Sequence, residues 1–146
     1  MGDRVMMFPV SISIGPGELA DRVSILSIKA YAAELGHDKR TRAMDALIPL
    51  TYYLNEMHKM KGEEFKTLDL ELYRINSALW TLESEMRRYQ LPAGRGSVES
   101  VHRDANIMLT AIAITKGNDR RAALKRKIDL LFGYEPEIKS HELPEV

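Results

Sequence analysis

From Phe65 to Tyr89 the apolar positions are Phe65, Leu68, Leu72, Ile75, Leu79, Leu82, Met86 and Tyr89, at spacings of 3, 4, 3, 4, 3, 4 and 3. A repeat averaging 3.5 residues keeps one stripe of a helix facing a partner helix. No Gly or Pro interrupts residues 63–90, so the pattern predicts a single helix roughly 40 Å long. Beside the seam lies a second stripe of different character: Asn76, Trp80, Glu83 and Arg87, which share a helix face at i, i+4, i+7 and i+11.

The rest of the chain supplies partners for that seam. In residues 5–14, Met6, Phe8, Val10, Ile12 and Ile14 alternate. This predicts an extended segment, confined to a sheet edge by Pro9. Gly15-Pro16-Gly17-Glu18 breaks it. Pro16 suits a first helical position and Glu18 suits the positive end of a helix. The first helix is expected to reach Leu35, with Gly36 as a left-handed stop. A second helix, capped by Asp38 or Thr41, carries Met44, Leu47, Ile48, Leu54 and Met57, and Pro49 is expected to kink or split it. Residues 59–62 read as the turn into the long helix. Pro92, Gly94 and Gly96 mark a loop, and Ser97 caps a fourth helix. There Val98, Val101, Ala105, Met108 and Ile112 repeat at threes and fours, which predicts an antiparallel partner for the seam. Lys116-Gly117 closes that helix. Asn118 is the expected cap of a fifth, from Asp119 to Phe132, buried through Leu124, Ile128 and Leu131 and stopped by Gly133. The expected fold is mainly α: a four- to five-helix bundle built on the helix at 63–90. It forms a single domain, 1–146, with an extended edge segment (1–14) and an acidic tail (134–146). The tail's residues 137–141 are a candidate strand beside that edge.

Composition narrows the function classes more than it names one. A chain of 146 residues with 45% apolar and 29% charged side chains reads as one globular domain. Its 21 basic and 21 acidic side chains cancel, which gives no support for generic nucleic-acid or membrane-surface binding. The absence of cysteine excludes a disulfide framework, thiolate zinc sites and cysteine nucleophiles. The apolar run at residues 5–10 is too short for a signal-peptide core, and residues 107–114 fall far below a membrane span. A soluble, cytoplasmic protein is expected.

Two groups of side chains carry candidate chemistry. Arg120, Arg121, Lys125, Arg126 and Lys127 crowd the first ten positions of the expected fifth helix, against Asp119 alone. Cations in a first helical turn oppose the macrodipole. A bound phosphate or carboxylate would remove the conflict, with Arg121 and Lys125 one turn apart on one face. The plainer alternative is a solvated basic face neutralised by Glu135, Glu137, Glu142 and Glu145 of the tail. The stripe Asn76, Trp80, Glu83, Arg87 reads either as a polar network beside the core or as a pocket wall. On the first helix, Arg22 and Lys29 share a face. Catalytic signatures are sparse. No Walker loop or dinucleotide fingerprint is present, and His37, His58, His102 and His141 lack metal-ligand spacing. Asp69 with Glu71 and Glu83 with Glu85 are two apart, so neither pair stacks on one helix face as a magnesium site needs.

Four segments taken in series carry a resemblance: Gly17-Glu18-Leu19-x-Asp21-Arg22-x-Ser24-Ile25-Leu26-x-Ile28-Lys29, Asn76-x-x-Leu79-Trp80-x-x-Glu83-x-x-x-Arg87, Asn118-Asp119-x-Arg121-Ala122-x-x-Lys125-x-x-Ile128, and Glu137-x-Lys139-Ser140-His141. Together they resemble a family of small bacterial and phage proteins of unknown function. The chain departs from that pattern at Arg22, where a lysine is usual, at Asp129, where an asparagine is usual, and at His141, where a tyrosine is usual. The segment between Gly36 and Phe65 matches poorly. The resemblance implies functional positions and no reaction.

Taken together, the readings favour a non-enzymatic binding protein for a small phosphorylated or nucleotide-like ligand, calling for no cofactor or metal. The candidate ligand-binding residues are Arg22, Lys29, Asn76, Trp80, Glu83, Arg87, Asn118, Asp119, Arg121, Lys125 and Lys139. A homo-oligomer is the expected assembly, since the long seam outruns the first helix. The alternatives are a structural helical oligomer or adaptor with no small ligand, and a metal-dependent nucleotide or phosphoester hydrolase.

Overall fold

The computed structural model describes residues 11–90 and 98–135. Three helices follow in order: α1 (Pro16–Tyr31), α2 (His37–Tyr89) and α3 (Val98–Leu131). The mainly α expectation holds, with three helical runs where four or five are predicted and no strand among the described residues. No helix is long and apolar enough to cross a membrane among the described residues. Residues 11–14 are exposed and irregular. The remainder of the expected edge segment, the loop and cap at 91–97, and the tail from 136 onward, Lys139 included, lie outside the described residues.

The differences in helix count have local causes. α1 stops at Tyr31 because Ala32 turns to extended dihedrals (φ −69°, ψ 111°). Gly36 is not a left-handed stop but the extended N-cap of α2 (φ −62°, ψ 156°). α2 has 53 residues and would measure about 80 Å if straight. It doubles back at Gly62, whose φ of 54° and ψ of −129° lie where a Cβ is penalised. His58 Nε2 meets Asp69 Oδ2 at 3.0 Å across this fold. Eleven residues of straight helix would hold the two backbones about 16 Å apart. The turn predicted at 59–62 is therefore real, but it folds a single helical run into two arms. Pro49 does not split the first arm, whose residues all keep helical dihedrals. It is exposed, so water can serve the carbonyl that its missing N–H leaves free.

α3 runs unbroken through Lys116-Gly117-Asn118, where a stop and a new cap are predicted. Gly117 is instead a packing position: a Cβ built there would stand 2.6 Å from Leu79 Cδ2. Gly133, with φ 69°, follows the end of α3 as expected. The inward face of α3 is Arg103, Ile107, Thr110, Ile114, Gly117, Arg121, Leu124 and Ile128, all buried or partly so, again at alternating fours and threes. Val101, Met108 and Ile112, predicted to meet the seam, are 69%, 60% and 47% exposed. The antiparallel pairing with the second arm of α2 does form, through the opposite face: Leu79 lies against Gly117 and Arg103 donates to the Tyr89 carbonyl.

The seam itself behaves as predicted. Phe65, Leu72 and Leu79 are buried, and Leu68, Ile75, Leu82, Met86 and Tyr89 are partly buried. The main core sits at the Gly62 end. Ala20 of α1, Met57, Phe65 and Leu72 of α2, and Leu124 and Ile128 of α3 form one cluster, flanked by Leu19, Leu54, Leu68, Ile75, Leu131 and Phe132. Phe65 packs edge-on to Phe132 at 5.4 Å between ring centroids. One turn beyond this cluster the interior becomes polar, and beyond that it opens.

Candidate functional site

The polar layer is centred on Asp21, which is 1% exposed. α1 and α3 run antiparallel here, so Asp21 faces Arg121. Arg121 donates from Nε to Oδ1 at 2.8 Å and from Nη2 to Oδ2 at 2.5 Å, a bidentate geometry. Asn76 donates from Nδ2 to Asp21 Oδ1 at 2.9 Å and to Ser24 Oγ at 3.1 Å. Lys125, one turn along, pairs with Glu18 at 2.6 Å and stands 3.8 Å from Asp21. Burial pushes the Asp21 carboxyl up, but the hydrogen bonds of Arg121 and Asn76 and the charges of Arg121 and Lys125 outweigh it and hold the group below its ordinary range. Glu18 is lowered chiefly by its hydrogen bond from Lys125, against a smaller effect of burial.

The positive charge that the sequence offers to an anion at Arg121 and Lys125 is thus engaged by two carboxylates of α1. The dipole argument made for these residues also lapses, because they lie in mid-helix. Asn118 and Asp119 are exposed on the same uninterrupted helix, so Asn118 caps nothing. Arg22 is exposed and pairs with Glu18 at 3.1 Å. Asp129, buried at the other end of the layer, accepts the Gly17 N–H at 2.8 Å and so caps α1 from α3.

The remaining candidates meet elsewhere. α2 folds back so that the start of its first arm faces the end of its second. Between them, and against the C-terminal half of α1, lies an open groove of about 760 Å³ lined by Leu26, Lys29, Leu35, Lys39, Arg42, Ala43, Trp80, Glu83 and Arg87. Trp80 also borders two adjoining hollows. One of about 140 Å³ reaches Asn76, Lys29, Glu83 and Arg121. The other, of about 500 Å³, reaches Glu34, Ser84, Arg87 and Arg88. Half-buried Trp80 donates its indole N–H to Glu34 in the α1–α2 turn at 2.5 Å. That hydrogen bond, followed by more minor effects including the Arg87 charge, keeps the Glu34 carboxyl low.

Lys29, Lys39, Arg42 and Arg87 are exposed on this groove, and none of them forms a side-chain ion pair among the described residues. Among the described residues, Arg42 donates only to the Asp38 carbonyl and Arg87 only to Ser84 Oγ. Among the described residues, Glu83 is the one carboxylate on the lining. Of the expected stripe, Asn76 therefore belongs to the buried network, while Trp80, Glu83 and Arg87 form a groove wall joined by Lys29.

Lys39 and Arg42 are the positions that sequence reasoning missed. The signal was nevertheless present. Lys39, Arg40 and Arg42 crowd the first two turns of α2, offset only by Asp38, and the Gly36 N-cap supplies no side-chain acceptor. That is the conflict between cations and helix dipole that the sequence reading placed at Arg121. Among the described residues no three His, Asp or Glu side chains converge so as to hold a metal ion. Comparison with protein-family models, curated proteins and solved structures yields no match for this chain.

Proposed function

We propose that this chain is a non-enzymatic binding protein for a small phosphorylated or nucleotide-like ligand, which it senses or sequesters in the groove at Trp80. The observation that carries the reading is the lining: four cations without carboxylate partners among the described residues surround a half-buried indole. Cations left in this state favour an anion, and an aromatic platform beside them favours a ligand with a planar group. Arg121 borders only the smaller hollow and is already matched by Asp21. The contacts to the anion therefore fall to Lys29, Lys39, Arg42 and Arg87.

A thermal-shift screen against nucleotides and sugar phosphates tests this. A ligand present at a hundred times its Kd stabilises by about 2.7 kcal/mol, which raises the melting temperature of a chain this size by roughly 5–10 °C. The shift is expected to vanish in Lys29→Ala plus Arg87→Ala, whose unliganded melting point stays near that of the parent because both side chains are exposed. Arg121→Ala should do the reverse, lowering the unliganded melting point while a ligand-induced shift persists. If the Lys29 and Arg87 variant keeps its full shift, the groove assignment is wrong.

A second reading, a helical oligomer or adaptor, draws support from α3. Val101, Ala105, Met108 and Ile112 keep heptad spacing on the side turned away from α2, and all four are exposed. Light scattering coupled to size-exclusion chromatography is expected to give a multimer for the parent chain and a single-chain mass for Met108→Asp plus Ile112→Asp. A single-chain mass for the parent would remove this reading.

A further inference from the structure

We propose that the groove takes a polyphosphate of the nucleoside triphosphate class, with its phosphates spread over Lys39, Arg42, Lys29 and Arg87 and its base against Trp80. This rests on the ligand reading given above and narrows it. Among the described residues, four cations face Glu83 on the lining and Glu34 beside Trp80 and Arg87, an excess of two charges. A single phosphate carries about −1.5 to −2 at neutral pH and comes close to matching that excess, so the choice between one phosphate and several rests on where the cations stand. The cations come from separate elements: one from α1, two from the start of α2 and one from near its end. One compact phosphate group has few ways to reach all of them, whereas an extended chain does.

The start of α2 gives a second reason. Its leading backbone N–H groups have no side-chain cap, and Lys39, Arg40 and Arg42 sit within its first two turns. Phosphate oxygens held by Lys39 and Arg42 would relieve the conflict between these cations and the helix dipole. At the other side of the groove the indole N–H of Trp80 is committed to Glu34. What Trp80 has left to offer is the face of its ring, which is how proteins hold a base. Glu83 accepts hydrogen bonds only and suits ribose hydroxyls between the two ends. A groove of about 760 Å³ lies within the usual range for small-ligand sites, roughly 300–1,000 Å³.

Isothermal titration of the full chain with adenosine tri-, di- and monophosphate and with inorganic tripolyphosphate decides the matter. Affinity is expected to rise by about tenfold for each added phosphate, near 1.4 kcal/mol. Tripolyphosphate should bind more weakly than the triphosphate and leave Trp80 fluorescence unchanged. Lys39→Ala plus Arg42→Ala should flatten the series towards the monophosphate value, and Lys39→Arg plus Arg42→Lys should restore it. Far-ultraviolet circular dichroism confirms that both variants fold. Monophosphate binding as tight as triphosphate, still abolished by Lys29→Ala plus Arg87→Ala, overturns the polyphosphate inference and leaves the groove reading standing. Tripolyphosphate binding as tightly as the nucleotide overturns the role given to Trp80. A single-stranded oligonucleotide binding more tightly than the triphosphate overturns the ligand class in favour of nucleic acid. No binding by any of these overturns the polyphosphate inference, and the groove reading falls with it only if the sugar phosphates of the thermal-shift screen also give no shift.

Discussion

Replacing Gly17 by alanine is expected to destabilise the chain by about 3 kcal/mol, the upper end of what overpacking costs. For a domain of this size that lowers the melting temperature by roughly 6–12 °C. The added Cβ would stand 2.3 Å from the Lys125 carbonyl oxygen and 2.9 Å from its carbon. Both are backbone atoms of α3, so no rotamer change relieves the clash and one helix must move. The movement would stretch the Gly17 N–H···Asp129 hydrogen bond of 2.8 Å and pull Asp21 away from Arg121, one turn further along. Gly36→Ala is the matching control. A Cβ there meets nothing within 4 Å and φ is negative, so the change is expected to stay below about 1 kcal/mol, the ordinary effect of replacing a capping glycine. Thermal melts followed by circular dichroism compare the two. A Gly17→Ala melt within about 2 °C of the parent would mean that α1 and α3 do not approach this closely.

Glycine also shows which parts of the fold a sequence can disclose. At Gly62 and Gly133 the backbone needs positive φ, a property of the residue itself, and the turn at 59–62 and the helix stop at Gly133 were both predicted in place. At Gly117 the reason for glycine is Leu79, 38 positions away in the chain. Read locally, a glycine followed by Asn118 signals a helix end and a new cap. The mid-helix cost of glycine, about 1 kcal/mol, is accepted here because the two helices need the space. That misplaced boundary had two consequences. It gave Arg121 a helix N-terminus that it does not have, and it hid the continuous inward face that runs from Arg103 through Gly117 to Ile128, while the spacing of Val101, Met108 and Ile112 made the opposite face seem to be core. The seam from Phe65 to Tyr89 was legible because its period lies wholly within one helix. Trp80, Glu83 and Arg87 were legible as one stripe for the same reason, though not as a wall rather than a network. That Lys39 and Arg42 face this wall depends on the fold at Gly62, and pairings across such a fold leave no periodic trace in the sequence. The acids that engage Arg121 and Lys125 were likewise sought in the tail, whereas Glu18 and Asp21 of α1 hold them from more than 90 positions away.

Asp21→Ala is expected to cost about 3 kcal/mol, because removing one member of a buried pair strands the other. Arg121 would lose both contacts made by Nε and Nη2, and Asn76 would keep only Ser24 for its Nδ2. The value lies at the low end of the usual range because Arg121 is 30% exposed, so water can serve part of the guanidinium. Asp21→Asn, which preserves shape and removes the charge, should fall between the two proteins. Its pH dependence separates an ionic role from a purely steric one. The folded-state carboxyl of Asp21 is held below its ordinary value. Its charge therefore contributes stability that is fully present above the unfolded value, about 3.9, and is lost as the pH falls through the lower folded one. Glu18, also lowered, acts in the same sense. Asp69 acts in the opposite sense: burial raises it against the hydrogen bond and charge of His58, so its protonated form is favoured in the fold and partly offsets the acid loss. Denaturant unfolding of the parent and Asp21→Asn should give the same stability gap at pH 7 and pH 5, and a narrower gap only below about pH 4. A gap that closes between pH 7 and pH 5 would mean that Asp21 takes up its proton near neutrality. The Arg121 pairing would then not be the ionic centre that joins α1, α2 and α3.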